Sequence, residues 1–110
     1  MNKASERRNG IRVDFATKVS ITVGPRQTKY DGDSKDISLR GVFLNTDDTL
    51  EMNTDCDIEI RLPGAQEDIV LSLKGHIVRK DEAGYAIYFD SVDLDSYTHL
   101  KNIIKYNSPD

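Results

Sequence analysis

The chain has no tryptophan, one cysteine, two histidines and three prolines in 110 residues. A lone cysteine closes no internal disulfide, and Cys56, His76 and His99 are too few and too scattered for the usual Cys/His metal cage. Cys56 therefore reads as a small hydrophobe or half-buried thiol. His76 falls in a strand-like run and His99 in a helix-like one, and neither is expected to ligate a metal or act as a catalytic base. Long apolar runs are missing too, and the opening Met1-Asn2-Lys3-Ala4-Ser5-Glu6 lacks the apolar stretch of a secretory signal. The expectation is a cytoplasmic chain with no membrane insertion. Basic charge is in deficit: 15 Lys and Arg against 19 Asp and Glu leave a formal net charge of −4. Binding to long nucleic acids is driven by neutralising phosphates, so this balance argues against it. No acid and base pair, activated nucleophile or metal set stands at usable spacing. Asp47-Asp48 and Asp55/Asp57 read as turn and strand-face charges, so neither an enzyme nor a cofactor is expected.

What is present is one core's worth of apolar material. Hydrophobic residues make up 37% of the chain and charged ones 31%, which suits a single domain of this length. Val19-Ser20-Ile21-Thr22-Val23 alternates like a half-buried strand that reaches back toward Val13. Gly24 to Ser34 is rich in turn formers and poor in apolar residues, and predicts a long exposed connection. Gly41-Val42-Phe43-Leu44 is a short apolar run, and Asp57 to Leu62 alternates cleanly before Pro63-Gly64 ends it. From Ile69 to Arg79 the odd positions Ile69, Leu71, Leu73 and Ile77 are apolar, with Gly75 placed where a bend or bulge would relieve a long strand. Asp81-Glu82-Ala83-Gly84 then makes a hairpin loop into Tyr85-Ala86-Ile87-Tyr88-Phe89. Five or six closely spaced strands predict a small antiparallel β-barrel. After Asp93 the period changes: Leu94, Tyr97, Leu100, Ile103 and Ile104 recur at helical spacing, with Asp93 or Asp95 as N-cap, giving a C-terminal α-helix over about 93–107.

The chemistry-bearing residues are arginines with a short polar string. Arg7, Arg8 and Arg12 lie within six positions, and Arg8 and Arg12 share a side in either a helix or an extended chain. A guanidinium grips phosphate oxygens bidentately and also fits the O6/N7 edge of guanine. Seven arginines in such a chain give about 0.4 pairs at this spacing by chance, so the pair alone is a weak signal. Asp36-Ile37-Ser38-Leu39-Arg40-Gly41 follows it, and an Asp/Asn-x-Ser-x-x-Gly string is expected only about 0.09 times. Asp36 can accept from the N1 and N2 donors of guanine, Ser38 can bond phosphate or base, and Gly41 permits close backbone approach. The competing account of the string is a polar turn capped by Asp36 and Ser38.

Arg8-x-x-x-Arg12 followed by Asp36-x-Ser38-x-x-Gly41 resembles the PilZ domain family. The likeness continues through Gly75-His76-Ile77-Val78-Arg79 and Gly84-Tyr85-Ala86-Ile87-Tyr88-Phe89, where Ala86 stands in place of the family's second glycine. The connection at Gly24 to Ser34 also looks longer than usual. The resemblance implies a six-stranded antiparallel β-barrel with a C-terminal α-helix, divided into a flexible arginine-rich arm (1–12) and a barrel domain (13–110). It implies cyclic di-GMP as ligand: Arg8 and Arg12 grip phosphates and guanine, Asp36 and Ser38 bind guanine edges or phosphate, and Gly41 leaves space for the base. Arg7 would support a stacked ligand dimer, and Gly10 would serve as a hinge in the arm. A receptor of this size would signal by touching an effector protein that the sequence does not identify. The alternatives are a PilZ-fold interaction module that binds no nucleotide and, more distantly, a barrel that stacks single-stranded bases on exposed aromatics.

Overall fold

A computed structural model describes residues 11–108. Among these residues, seven strands and one helix follow in order: β1 (Val13–Asp14), β2 (Lys18–Val23), β3 (Thr28–Ile37), β4 (Gly41–Asn45), β5 (Asp55–Leu62), β6 (Ile69–Lys80), β7 (Gly84–Ser91) and α1 (Leu94–Asn107). Every pairing is antiparallel. The strand order β1-β3-β2-β5-β6-β7-β4, with β4 also paired to β3, closes six strands into a barrel and leaves β1 as an extra strand on β3. Closure removes the unpaired edges that an open sheet would present.

The alternation in the sequence becomes inside and outside. In β5, Cys56, Ile58, Ile60 and Leu62 are buried while Asp55, Asp57, Glu59 and Arg61 face solvent. Leu71, Leu73 and Ile77 of β6 meet them in one core with Val19, Ile21, Val42, Leu44, Tyr85, Ile87 and Phe89. The register of β6 on β7 shifts between Lys74 and Gly75, as the glycine led one to expect.

The expected long connection after β2 is absent. Only Gly24 to Gln27 turn, with Gly24 at φ +75° and Gln27 at φ 57°, and Thr28 already begins the ten-residue β3. The inward positions of the first part of β3 are Tyr30, Gly32 and Ser34, which carry little apolar signal, so the alternation that marks a strand is invisible there. Small residues are required because the barrel wall is close: a Cβ on Gly32 would lie 2.3 Å from the carbonyl oxygen of Asn45. Buried Ser34 repairs the gap between β1 and β2, accepting from the Thr17 amide at 3.0 Å and donating to the Phe15 carbonyl.

Asp93 is the N-cap of α1, accepting from the amide of Ser96 at 3.3 Å. The helix packs against β1 and β6 through Ser96, Leu100 and Ile104, while Leu94 and Tyr106 stay exposed. The buried stripe thus advances by i, i+4 steps and passes over Leu94, which sits in the first turn beyond the barrel's reach. No helix among the described residues is long and apolar enough to cross a membrane.

Candidate functional site

The arginine and Asp-x-Ser-x-x-Gly segments meet where β1 joins β3. Val13 pairs with Ile37 and Asp14 with Asp36, so Arg12, two residues before Asp14, comes to the same side of the sheet as Asp36 and diagonal to it. Arg12 Nη1 lies 2.8 Å from Asp36 Oδ1. The contact spans 24 residues of sequence and also relieves the like-charge pairing of Asp14 with Asp36 across the strands. A β-bulge sets the position of the carboxylate: between Ser34↔Leu44 and Ile37↔Val42 the β3–β4 ladder slips, so Lys35 and Asp36 together oppose Phe43. Lys35 Nζ stands 5.5 Å over the Phe43 ring.

The tight link from β3 to β4 is held by Ser38. Its hydroxyl oxygen accepts from the amides of Arg40 at 3.1 Å and Gly41 at 3.2 Å, and its own amide donates to the Gly41 carbonyl at 2.9 Å. The residue is 2% exposed. Ser38 is therefore the fastener of its own turn, the structural role that the sequence left open for it. Gly41 is also constrained from within: a Cβ there would stand 2.3 Å from the Ile87 carbonyl oxygen on β7. Arg40, between them, is exposed, and its guanidinium reaches the Tyr88 hydroxyl at 3.4 Å. Arg40 was not singled out from sequence, where it was one of the free positions of the string. Its place in the β3–β4 turn, facing Tyr88 of β7, is decided by the tertiary structure.

Arg12, Asp36, Ser38 and Gly41 are thus brought together. Arg7 and Arg8, with the proposed hinge at Gly10, lie outside the described residues. A guanidinium held by one carboxylate, an exposed second arginine and an edge of β-sheet can take up an anionic ligand by exchanging a phosphate oxygen for the carboxylate.

A family model described as PilZ domain matches residues 6–106. Among solved structures, the Bacillus subtilis inhibitor of motility MotI/DgrA superposes with a TM-score of 0.72 at 16% identity over 87% of this chain. This chain spans 48% of MotI/DgrA, about half its length. The PilZ domain of YcgR from Escherichia coli with c-di-GMP gives 0.68 at 16% identity, covering 88% of each chain. The PilZ domain of CeSA from a cellulose-synthesizing bacterium gives 0.61 at 16% identity, covering 87% of this chain and 96% of its own. No match is found among curated proteins. At such identities the superpositions establish a shared barrel fold.

Proposed function

The chain belongs to the PilZ domain family, and from that premise we propose that it is a cytoplasmic receptor for cyclic di-GMP that acts as an adaptor rather than an enzyme. The observation that carries this reading is the Arg12–Asp36 pair at 2.8 Å beside the Ser38–Gly41 turn. Support also comes from the YcgR domain of like fold, which is described with c-di-GMP. In the free protein Asp36 neutralises Arg12 and holds its fork near the turn. A ligand phosphate displaces that carboxylate from Arg12, and Asp36 is released to accept from the N1 and N2 donors of guanine. Arg7 and Arg8 add further cationic contacts from the N-terminal segment. Closure over the ligand costs about 1–2 kcal/mol per residue fixed, so it takes place only when the ligand supplies charged contacts, and the closed form presents a new surface to an effector protein.

The anchoring roles of Ser38 and Gly41 favour one second reading. Both residues are needed by the barrel itself, so their presence is equally compatible with a PilZ-fold interaction module that binds no nucleotide. Calorimetric titration with cyclic di-GMP, using GTP and cyclic di-AMP as controls, separates the two. The receptor reading expects saturable heat with cyclic di-GMP alone, abolished in Arg8→Ala/Arg12→Ala. The Arg12–Asp36 pair is partly exposed and worth at most about 1 kcal/mol to stability, so the variant stays folded. Absence of binding by the parent protein would leave the interaction module.

A further inference from the structure

We infer that Asp55, His76 and Asp90 form a binding site for a divalent transition-metal ion of the zinc class. The three residues come from three adjacent strands. The β5–β6 register sets Asp55 directly opposite His76. On β7, Phe89 pairs with Gly75 and Ser91 with Lys74, so Asp90 is the extra residue of a bulge and has no rung of its own. Bulges re-aim side chains, and this one turns the Asp90 carboxylate onto the imidazole, with Nδ1 to Oδ1 at 2.6 Å. One donor atom from each of the three residues lies within 4.8 Å of the others. Zinc bonds to nitrogen and oxygen of about 2.0–2.2 Å place tetrahedral ligands about 3.4 Å apart, so small side-chain rotations convert the present cluster into a coordination set.

The local charge calls for a cation. Lys74 is occupied by Asp57 at 2.8 Å, and among the described residues no lysine or arginine pairs with Asp55 or Asp90. Asp55 and Asp90 also line a cleft of about 490 Å³ beside the Gly24 turn, which leaves room for waters to complete the coordination sphere. An imidazole in the set favours zinc, nickel or cobalt over magnesium and calcium, which prefer oxygen ligands throughout. His76 thus stands apart from the sequence expectation because its partners are 21 residues before it and 14 after it in numbering, a spacing that reads as no metal motif. This inference is independent of the cyclic di-GMP reading.

The test is calorimetric titration of zinc chloride into the full chain in a non-chelating buffer. The expected result is saturable binding of one ion, weakened by more than about tenfold in His76→Ala and in Asp90→Asn, since even partners outside the ligand set are worth that much to a metal site. His99→Ala should bind as the parent does. All three side chains lie on the outer surface, and melting curves without zinc check that each variant is folded. Unsaturable heats, or binding by His76→Ala equal to the parent's, would overturn the site and leave an ordinary histidine–aspartate ion pair.

Discussion

Replacing Gly41 by alanine asks whether the motif glycine serves the barrel or only a ligand. The added Cβ would sit 2.3 Å from the Ile87 carbonyl oxygen and 3.4 Å from Tyr88 Cα. That is roughly an ångström inside ordinary contact distance. The obstacle is backbone and cannot rotate away, so β4 and β7 must separate where Gly41 pairs with Tyr88. The adjacent bond from the Phe89 amide to the Arg40 carbonyl, now 2.7 Å, would be disturbed as well. Overpacking of this kind costs about 1–3 kcal/mol, and the rigid neighbour places Gly41→Ala at about 2–3 kcal/mol. At about 4–8 °C per kcal/mol for a domain of this size, the melting midpoint should fall by roughly 10–20 °C. The assay is thermal unfolding of ligand-free protein followed by circular dichroism. A midpoint within about 2 °C of the parent's would refute the reasoning and return Gly41 to a role at the ligand alone.

Tyr85→Phe removes the hydroxyl that accepts from the buried Leu50 amide at 3.0 Å; the orphaned donor should cost about 1–3 kcal/mol, measured by denaturant unfolding with an unchanged m-value. Cys56, 5% exposed and with its thiol pushed up to about 12 by burial and neighbouring carboxylates, should resist a thiol reagent at pH 8 in the native protein and react fully once unfolded. Rapid labelling of native protein would contradict the inward placement of its strand face. The hydrogen bond from Ser96 holds the Asp93 carboxyl below its ordinary range. A folded-state value below the unfolded one contributes stability that is present above the ordinary carboxylate range and lost as pH falls through the lowered value. The melting difference between parent and Asp93→Ala should therefore be full at pH 7 and shrink below about pH 4.

Strands whose inward positions are β-branched or aliphatic could be read directly. Lys18–Val23, Asp55–Leu62, Ile69–Lys80 and Gly84–Ser91 match the expected runs because burial on one face imposes a period of two. The helix boundary was equally plain, since Asp93 is a capping residue followed by a change of period. β3 was hidden because its inward residues had to be small or polar to fit against Asn45 and to bridge Phe15 with Thr17, and such residues spell a loop. β1 was merged with β2 for a related reason: the interruption at Phe15 to Thr17 is repaired by Ser34, which is remote in sequence.

The same division holds for function. Local pattern and motif spacing were enough to determine a one-core antiparallel barrel of the PilZ family and to pick out Arg12, Asp36, Ser38 and Gly41, because side-chain alternation and short-range turn chemistry are written along the chain. Tertiary structure alone decided which of those residues have free chemistry. Ser38 is turned onto its own backbone and Gly41 is pressed against Ile87, whereas Arg12 keeps an exposed guanidinium group. It alone brought Asp55, His76 and Asp90 together, since strand register and a bulge are settled by the packing of the whole barrel and leave no mark at any one place in the sequence.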